Sequence, residues 1–222
     1  MKRSWVPVTV VVIVAVGLSL WFGLRSTTPT TTTTATTTTI SPSTTSAIWP
    51  TAASGIRFTT PAAAARGFAV EYLGMSKPLV GAFRQGDSRS GEVPVHTSAT
   101  GPETTVLVRQ LGPGTDWSVI GAATQDIDIT SPTTGATVAS PMDLRGRSLA
   151  FEGVVNVTLR DDVSSTPLVA TTVMGGGTSM APFSSKVTFA TPASTYGALV
   201  LYTRSAKDGS VVAASVIRVR FG

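Results

Sequence analysis

Hydrophobic positions recur along this chain with two different periods, and the change of period marks its organisation. In TTPAAAARGFAVEYLGM, Thr59 to Met75, the residues Phe68, Tyr72 and Met75 return at helical spacing. Thr59 or Thr60 can cap the first turn, Pro61 suits the position after a cap, and Gly74 is a natural stop. Beyond it the period falls to two. LVGAFR, EVPVHT, TTVLVRQL and WSVIGAAT read as strands, with hairpin residues in the LGPGTDW that joins the last two. These runs predict one helix on a small antiparallel sheet over residues 56–125. Pro94 lacks a backbone N–H, so its strand is expected at an edge.

From residue 126 the pattern is strand after strand, separated by Gly, Pro, Ser and Asp, with no helical run. DIDIT, ATVAS, DLRGRSLAF, VVNVTLRD, LVATTVM, PFSSKVTFA, ALVLYTRS and SVVAASVIRVRF have the number and spacing of an immunoglobulin-like antiparallel β-sandwich, residues 126–222. Val155, Val157 and Leu159 alternate with Asn156, Thr158 and Arg160. Ile217, Val219 and Phe221 alternate with Arg218 and Arg220. Each strand is therefore expected to have one apolar and one wet face. Phe151, Phe183, Phe189 and Tyr202 are candidates for the sandwich core. The fold class is mainly β.

The N-terminal portion follows a third pattern. Trp5 to Leu24, WVPVTVVVIVAVGLSLWFGL, is twenty uncharged residues, enough at 1.5 Å rise each to cross a hydrocarbon core of about 30 Å. Residues 1–4 would be a cytoplasmic tip and residues 5–24 a transmembrane helix. Lys2 and Arg3 outweigh Arg25 on the flanks, which places the N-terminus inside and exports the remainder. A cleaved signal peptide is the alternative, but its apolar region would be shorter and no A-x-A site precedes Arg25. Residues 25–55, dominated by Thr, Ser and Pro, have too little apolar surface to fold and read as a disordered linker.

Charge and cysteine content remove whole classes of function. The net charge of +5 suggests nucleic acid until the charges are placed. Lys2, Arg3 and Arg25 flank the span, and the remainder carries fourteen Lys and Arg against twelve acids without a basic run. No nucleic-acid partner is expected. The absence of cysteine excludes disulfides, thiolate metal sites and cysteine nucleophiles.

Across ITSPTTGATVASP, GRSLAFEG, VTLRD, APFSSKVTF and YTRSAKDGS, short blocks fall in the order seen in a known module. The matching positions are Ser131, Pro132, Ser140, Pro141, Gly146, Phe151, Glu152, Val157, Leu159, Pro182, Phe183, Phe189, Ser205, Asp208 and Gly209. Residues 127–221 thereby resemble the immunoglobulin-like domain of bacterial spore germination proteins, Gmad2. The resemblance implies the sandwich fold and an exported location. The loop DDVSSTP after Asp161 is longer than the family's compact turn. An anchored chain rich in Arg and poor in Lys also resembles actinobacterial surface proteins.

Candidate chemistry is sparse. GTSMA, Gly177 to Ala181, is similar to the nucleophile segment of subtilisin-like proteases, but Pro182 follows where that family begins a helix. GDSRSG places Asp87 and Ser88 a few residues before His96, the single histidine, with no elbow or helix after Ser88. Both serines read as loop residues, and His96 as a surface residue. Gly175 to Gly177 lack the Lys-Ser or Lys-Thr of a phosphate loop, and the NVT triplet at 156–158 falls on a strand. Asp126, Asp128, Asp161 and Asp162 could meet around a calcium ion at one end of the sandwich, although no D-x-D-x-D-G loop is present. No catalytic residue and no cofactor is implied. The expectation is a membrane-anchored, extracytoplasmic, non-enzymatic module that binds an envelope protein or wall polymer. An accessory or sensory subunit of a membrane or cell-wall system is the alternative, and a serine hydrolase a remote one.

Overall fold

The structure is a computed structural model and describes residues 46–222. The expected span Trp5–Leu24 and most of the Thr-rich stretch lie outside the described residues. Among those described, no helix is long and apolar enough to cross a membrane.

Helix α1, Pro61–Gly67, starts as its sequence predicts: Thr60 Oγ1 accepts a hydrogen bond from Ala63 N at 3.2 Å, and Pro61 takes the first turn. It runs into a π-helical turn, Phe68–Tyr72, where Leu73 N donates to Phe68 O. Gly74 then leaves the helix with φ of +76°. The apolar face so formed buries Ala64, Ala65, Phe68, Ala69 and Leu73.

Thirteen strands follow. They are β1 Leu79–Val80, β2 Arg84–Asp87, β3 Ser90–His96, β4 Thr104–Gln110, β5 Trp117–Thr124, β6 Ile127–Ser131, β7 Thr137–Val138, β8 Met142–Ser148, β9 Val154–Asp161, β10 Val169–Met174, β11 Ala181–Val187, β12 Tyr196–Arg204 and β13 Val211–Phe221. One hydrogen-bonded path runs β1-β3-β4-β5-β13-β12-β9-β10, and β6, β8 and β11 pair in that order as a branch beginning at β5. The pairs are antiparallel except β7 with β13. The architecture is mainly β, and the second half is consistent with an immunoglobulin-like sandwich.

β3 is not at an edge. β4 lies along one side, and β1 and β2 share the other, pairing with residues 95–96 and 90–92. Pro94 falls in the gap between those two short strands, where no N–H is needed, and its carbonyl accepts from Gly81 N.

Two apolar cores form, one on each face of the central strands. The first gathers α1, the π-helical turn, β3, β4 and β5 with Ala198, Val200, Ala214 and Val216. The second lies inside the sandwich and includes Leu144, Val155, Val157, Leu159, Phe183, Leu199, Leu201 and Val219. β12 and β13 thus bury both faces. The expected wet face is covered: Thr158 and Arg218 are buried, Arg160 is half-buried, and Tyr202 packs on the first core rather than inside the sandwich. Phe183 and Phe189 serve the sandwich core as expected, but Phe151 is 63% exposed on a turn.

The ordered chain also reaches back into the stretch read as linker. Ile48 is 2% exposed and Trp49 7%, and both amides donate to Val119 O while Val119 N donates to Trp49 O. Gly67 makes room for the indole, since a Cβ there would stand 2.5 Å from Trp49 Cη2. Two apolar residues set in a run of Thr, Ser and Pro are sufficient to anchor it.

Candidate functional site

The segment that enters at Ile48 and Trp49 continues along the start of β5, where Trp117 N donates to Phe58 O at 2.8 Å. Between it and one end of the sandwich lies a cleft of about 370 Å³. Pro50, Ile56, Arg57, Asp116 and Trp117 line one side; Asp162, Tyr196 and Arg218 line the other. Its size falls in the range of small-molecule sites, about 300–1,000 Å³.

Register explains how the charged side comes together. Arg160 on β9, Ala198 on β12 and Arg218 on β13 lie in one row across the sheet. The small Ala198 separates two guanidinium groups on the same face. Arg160 donates to Tyr72 O at 2.9 Å and lies 4.7 Å from the Tyr72 ring centroid. Arg218, 7% exposed, makes a two-pronged pair with Asp162 at 2.6 and 2.5 Å and lies over the Tyr196 ring at 5.3 Å. Burial pushes the Tyr72 phenol up to about 12, against the opposing pull of Arg160. It stays neutral at any ordinary pH and supplies no base. On the opposite rim Arg57 and Asp116 pair more loosely, at 3.7 Å. The cleft therefore offers two aromatic rings and two matched ion pairs. That arrangement suits holding a ligand.

The residues singled out from sequence do not assemble. Ser88 sits in the β2–β3 turn, where Asp87 Oδ1 accepts from Arg89 N at 2.7 Å, a bond that helps hold the Asp87 carboxyl below its usual range. His96 closes the far end of β3, about 20 Å away along the strand at roughly 3.3 Å per residue. Its ring meets Gly101 O at 3.2 Å and Glu103 at 3.5 Å. Ser179 is exposed in the loop joining β10 to β11. Neither serine has the histidine beside it.

The four aspartates divide between the two ends of the sandwich. Asp126 and Asp128 flank the start of β6, and Asp126 O accepts from Leu149 N near the beginning of β9. Asp161 and Asp162 stand at the other end of β9, about 20 Å on. Among the described residues no group of three or more His, Asp or Glu is placed to hold a metal ion. Asp161 instead organises the loop that follows it. Its Oδ1 accepts from Val163 N and Ser164 N, and its Oδ2 from Ser164 Oγ and Ala193 N. Burial opposes the charged form, but these four bonds outweigh it and hold the carboxyl below its usual range. Asp162 serves Arg218, and Asp128 lies exposed opposite Arg147.

Residues 126–210 match the family model of Gmad2, the immunoglobulin-like domain of bacterial spore germination. This segment is similar to the Gmad2 domain. The match covers β6 through β12 and stops just before β13, the strand that joins the sandwich to β5. No curated protein and no solved structure matches the chain.

Sequence reading missed the cleft because its parts come from five separated stretches. Asp162 and Arg218 were visible only as strand-end and wet-face residues. The one available signal was the continuous apolar run ALVL at 198–201, which implies a strand covered on both faces and so a buried position for any charge beside it.

Proposed function

We propose that the chain is a non-enzymatic binding module of the bacterial cell envelope, held outside the membrane by an anchor at Trp5–Leu24 and a Thr-rich stalk. Its ligand is an envelope protein or a wall polymer. The observation that carries this reading is the cleft beside the Gmad2 domain, in which Asp162 with Arg218 and Asp116 with Arg57 form matched pairs around Trp117 and Tyr196. Paired charges of this kind recognise and orient a ligand. The Gmad2 match supports a role related to spore germination.

A photo-crosslinking amino acid placed at Arg57 in living cells tests the site. Capture of one partner or one wall fraction from position 57, and not from the exposed Lys186 on β11, is expected. Equal capture from both positions overturns the cleft as the site. Labelling by a serine-directed probe that disappears in Ser88→Ala or Ser179→Ala overturns the non-enzymatic reading.

The burial of Ile48 and Trp49 favours a second reading, an accessory or sensory subunit, because the chain leading from the membrane is packed into the fold. Replacement of Trp5–Leu24 by a neutral membrane helix separates the two: the binding module keeps its function, and the sensory subunit loses it.

A further inference from the structure

At the end of the sandwich away from the cleft, the chain leaves β8 through a 3-10 turn, Phe151–Gly153. Glu152 adopts φ of +54°, a left-handed conformation that costs a non-glycine residue free energy, and Gly153 follows at +74°. The turn is braced by the glycine loop: Ala150 N donates to Gly176 O, and Gly175 N to Gly153 O. A Cβ on Gly153 would stand 2.8 Å from Gly175 O, so the brace depends on glycine there. The result is an outward Phe151, 63% exposed, with Met174, 62% exposed, beside the same turn.

Phe151 forms one wall of a groove of about 320 Å³ that is also lined by Asp126, Leu149, Gly177, Arg204 and Val212. The Asp126 carboxylate has no hydrogen-bond or ionic partner among the described residues. Partial burial raises its affinity for a proton, and no neighbouring cation offsets this. Arg204 is committed elsewhere, donating to Gly209 O at 2.6 Å and to Tyr202 Oη at 3.2 Å, with its guanidinium over the Tyr202 ring.

We propose that this groove docks an extended segment of a partner protein through one Lys or Arg side chain, which pairs with Asp126 and lies against the Phe151 ring. Charge complementarity selects the cation, since the groove holds a half-buried carboxylate without an ionic partner beside an exposed aromatic face. Met174 offers an apolar contact to a neighbouring residue of the same segment. The strained turn at Glu152 keeps Phe151 in place before the partner arrives, which lowers the ordering cost of binding. The inference concerns the opposite end of the molecule from the cleft and stands or falls independently of it.

A random nonapeptide library displayed on phage, panned against the full chain, tests it. Peptides enriched by the native protein are expected to carry Lys or Arg next to an apolar residue. Their binding should fall about tenfold or more in Asp126→Asn and in Phe151→Ala, and stay within twofold in Asp128→Asn. Replacement of the peptide's basic residue by norleucine should cost as much as Asp126→Asn, and the two changes together little more than either alone. Asp126→Asn is isosteric, and its thermal melt checks that it folds. Enrichment of peptides without a basic residue, binding indifferent to Asp126→Asn, or no enrichment above a blocked surface overturns the proposal.

Discussion

Asp161 and Asp126 belong to the same sandwich and have opposite consequences for its stability. Asp161 accepts four hydrogen bonds, and an amide in its place would turn an NH2 toward donors. Asp161→Asn should cost about 2–4 kcal/mol, given about 1.5–3 kcal/mol for a hydrogen bond to a charged group. Because its folded carboxyl is depressed, the contribution is complete above the unfolded value near 4 and is lost as pH falls through the folded one. Thermal melts of native and variant protein should therefore converge in acid. Asp126 carries the reverse sign: its folded carboxyl is raised, so the ionised form weakens the fold above that value. Asp126→Asn should melt at a higher temperature at pH 7, with the gain vanishing below about pH 4. The two were indistinguishable as acids in a sequence. Ala193, which donates to Asp161, is far away in the chain, and the missing partner of Asp126 is a property of three-dimensional neighbours alone.

At the level of elements, alternation predicted β9 to the residue and most other sandwich strands to within two, because a strand with one buried face must alternate. The failures have physical causes. Phe151 continued the apolar run LAF, but Glu152 and Gly153 reverse the chain immediately after it and turn the ring outward. The Thr-rich stretch concealed Ile48 and Trp49, whose burial depends on a slot that Gly67 leaves open on α1. Deletion through residue 47 should leave the melting transition nearly unchanged, whereas deletion through residue 55 should destabilise it. Trp49→Ala should cost about 3–5 kcal/mol, as for other large aromatic truncations in cores. Gly67→Ala should be destabilising at the same spot, and the combination with Trp49→Ala less than additive.

For the whole molecule, the helix-bearing region and the Gmad2-like sandwich share β12 and β13, one face to each core. Calorimetry should show one cooperative unfolding transition for residues 46–222. Residues 126–222 expressed alone would expose the face of Ala198, Val200, Ala214 and Val216, and should bind a hydrophobic dye and associate. The run ALVL holds four consecutive apolar residues, the pattern of a strand covered on both faces, where the sequence reading expects one apolar and one wet face. What covered the second face could not be read from it.

The central position of β13 also sets an order of events during synthesis. β5 pairs first with β4 and finds its partner on the other side only when a strand made long after it emerges, so the earlier half of the fold waits with an open edge and an uncovered core. Such distant pairings slow folding. The sheet would stay open on that side until β13 is free to close it.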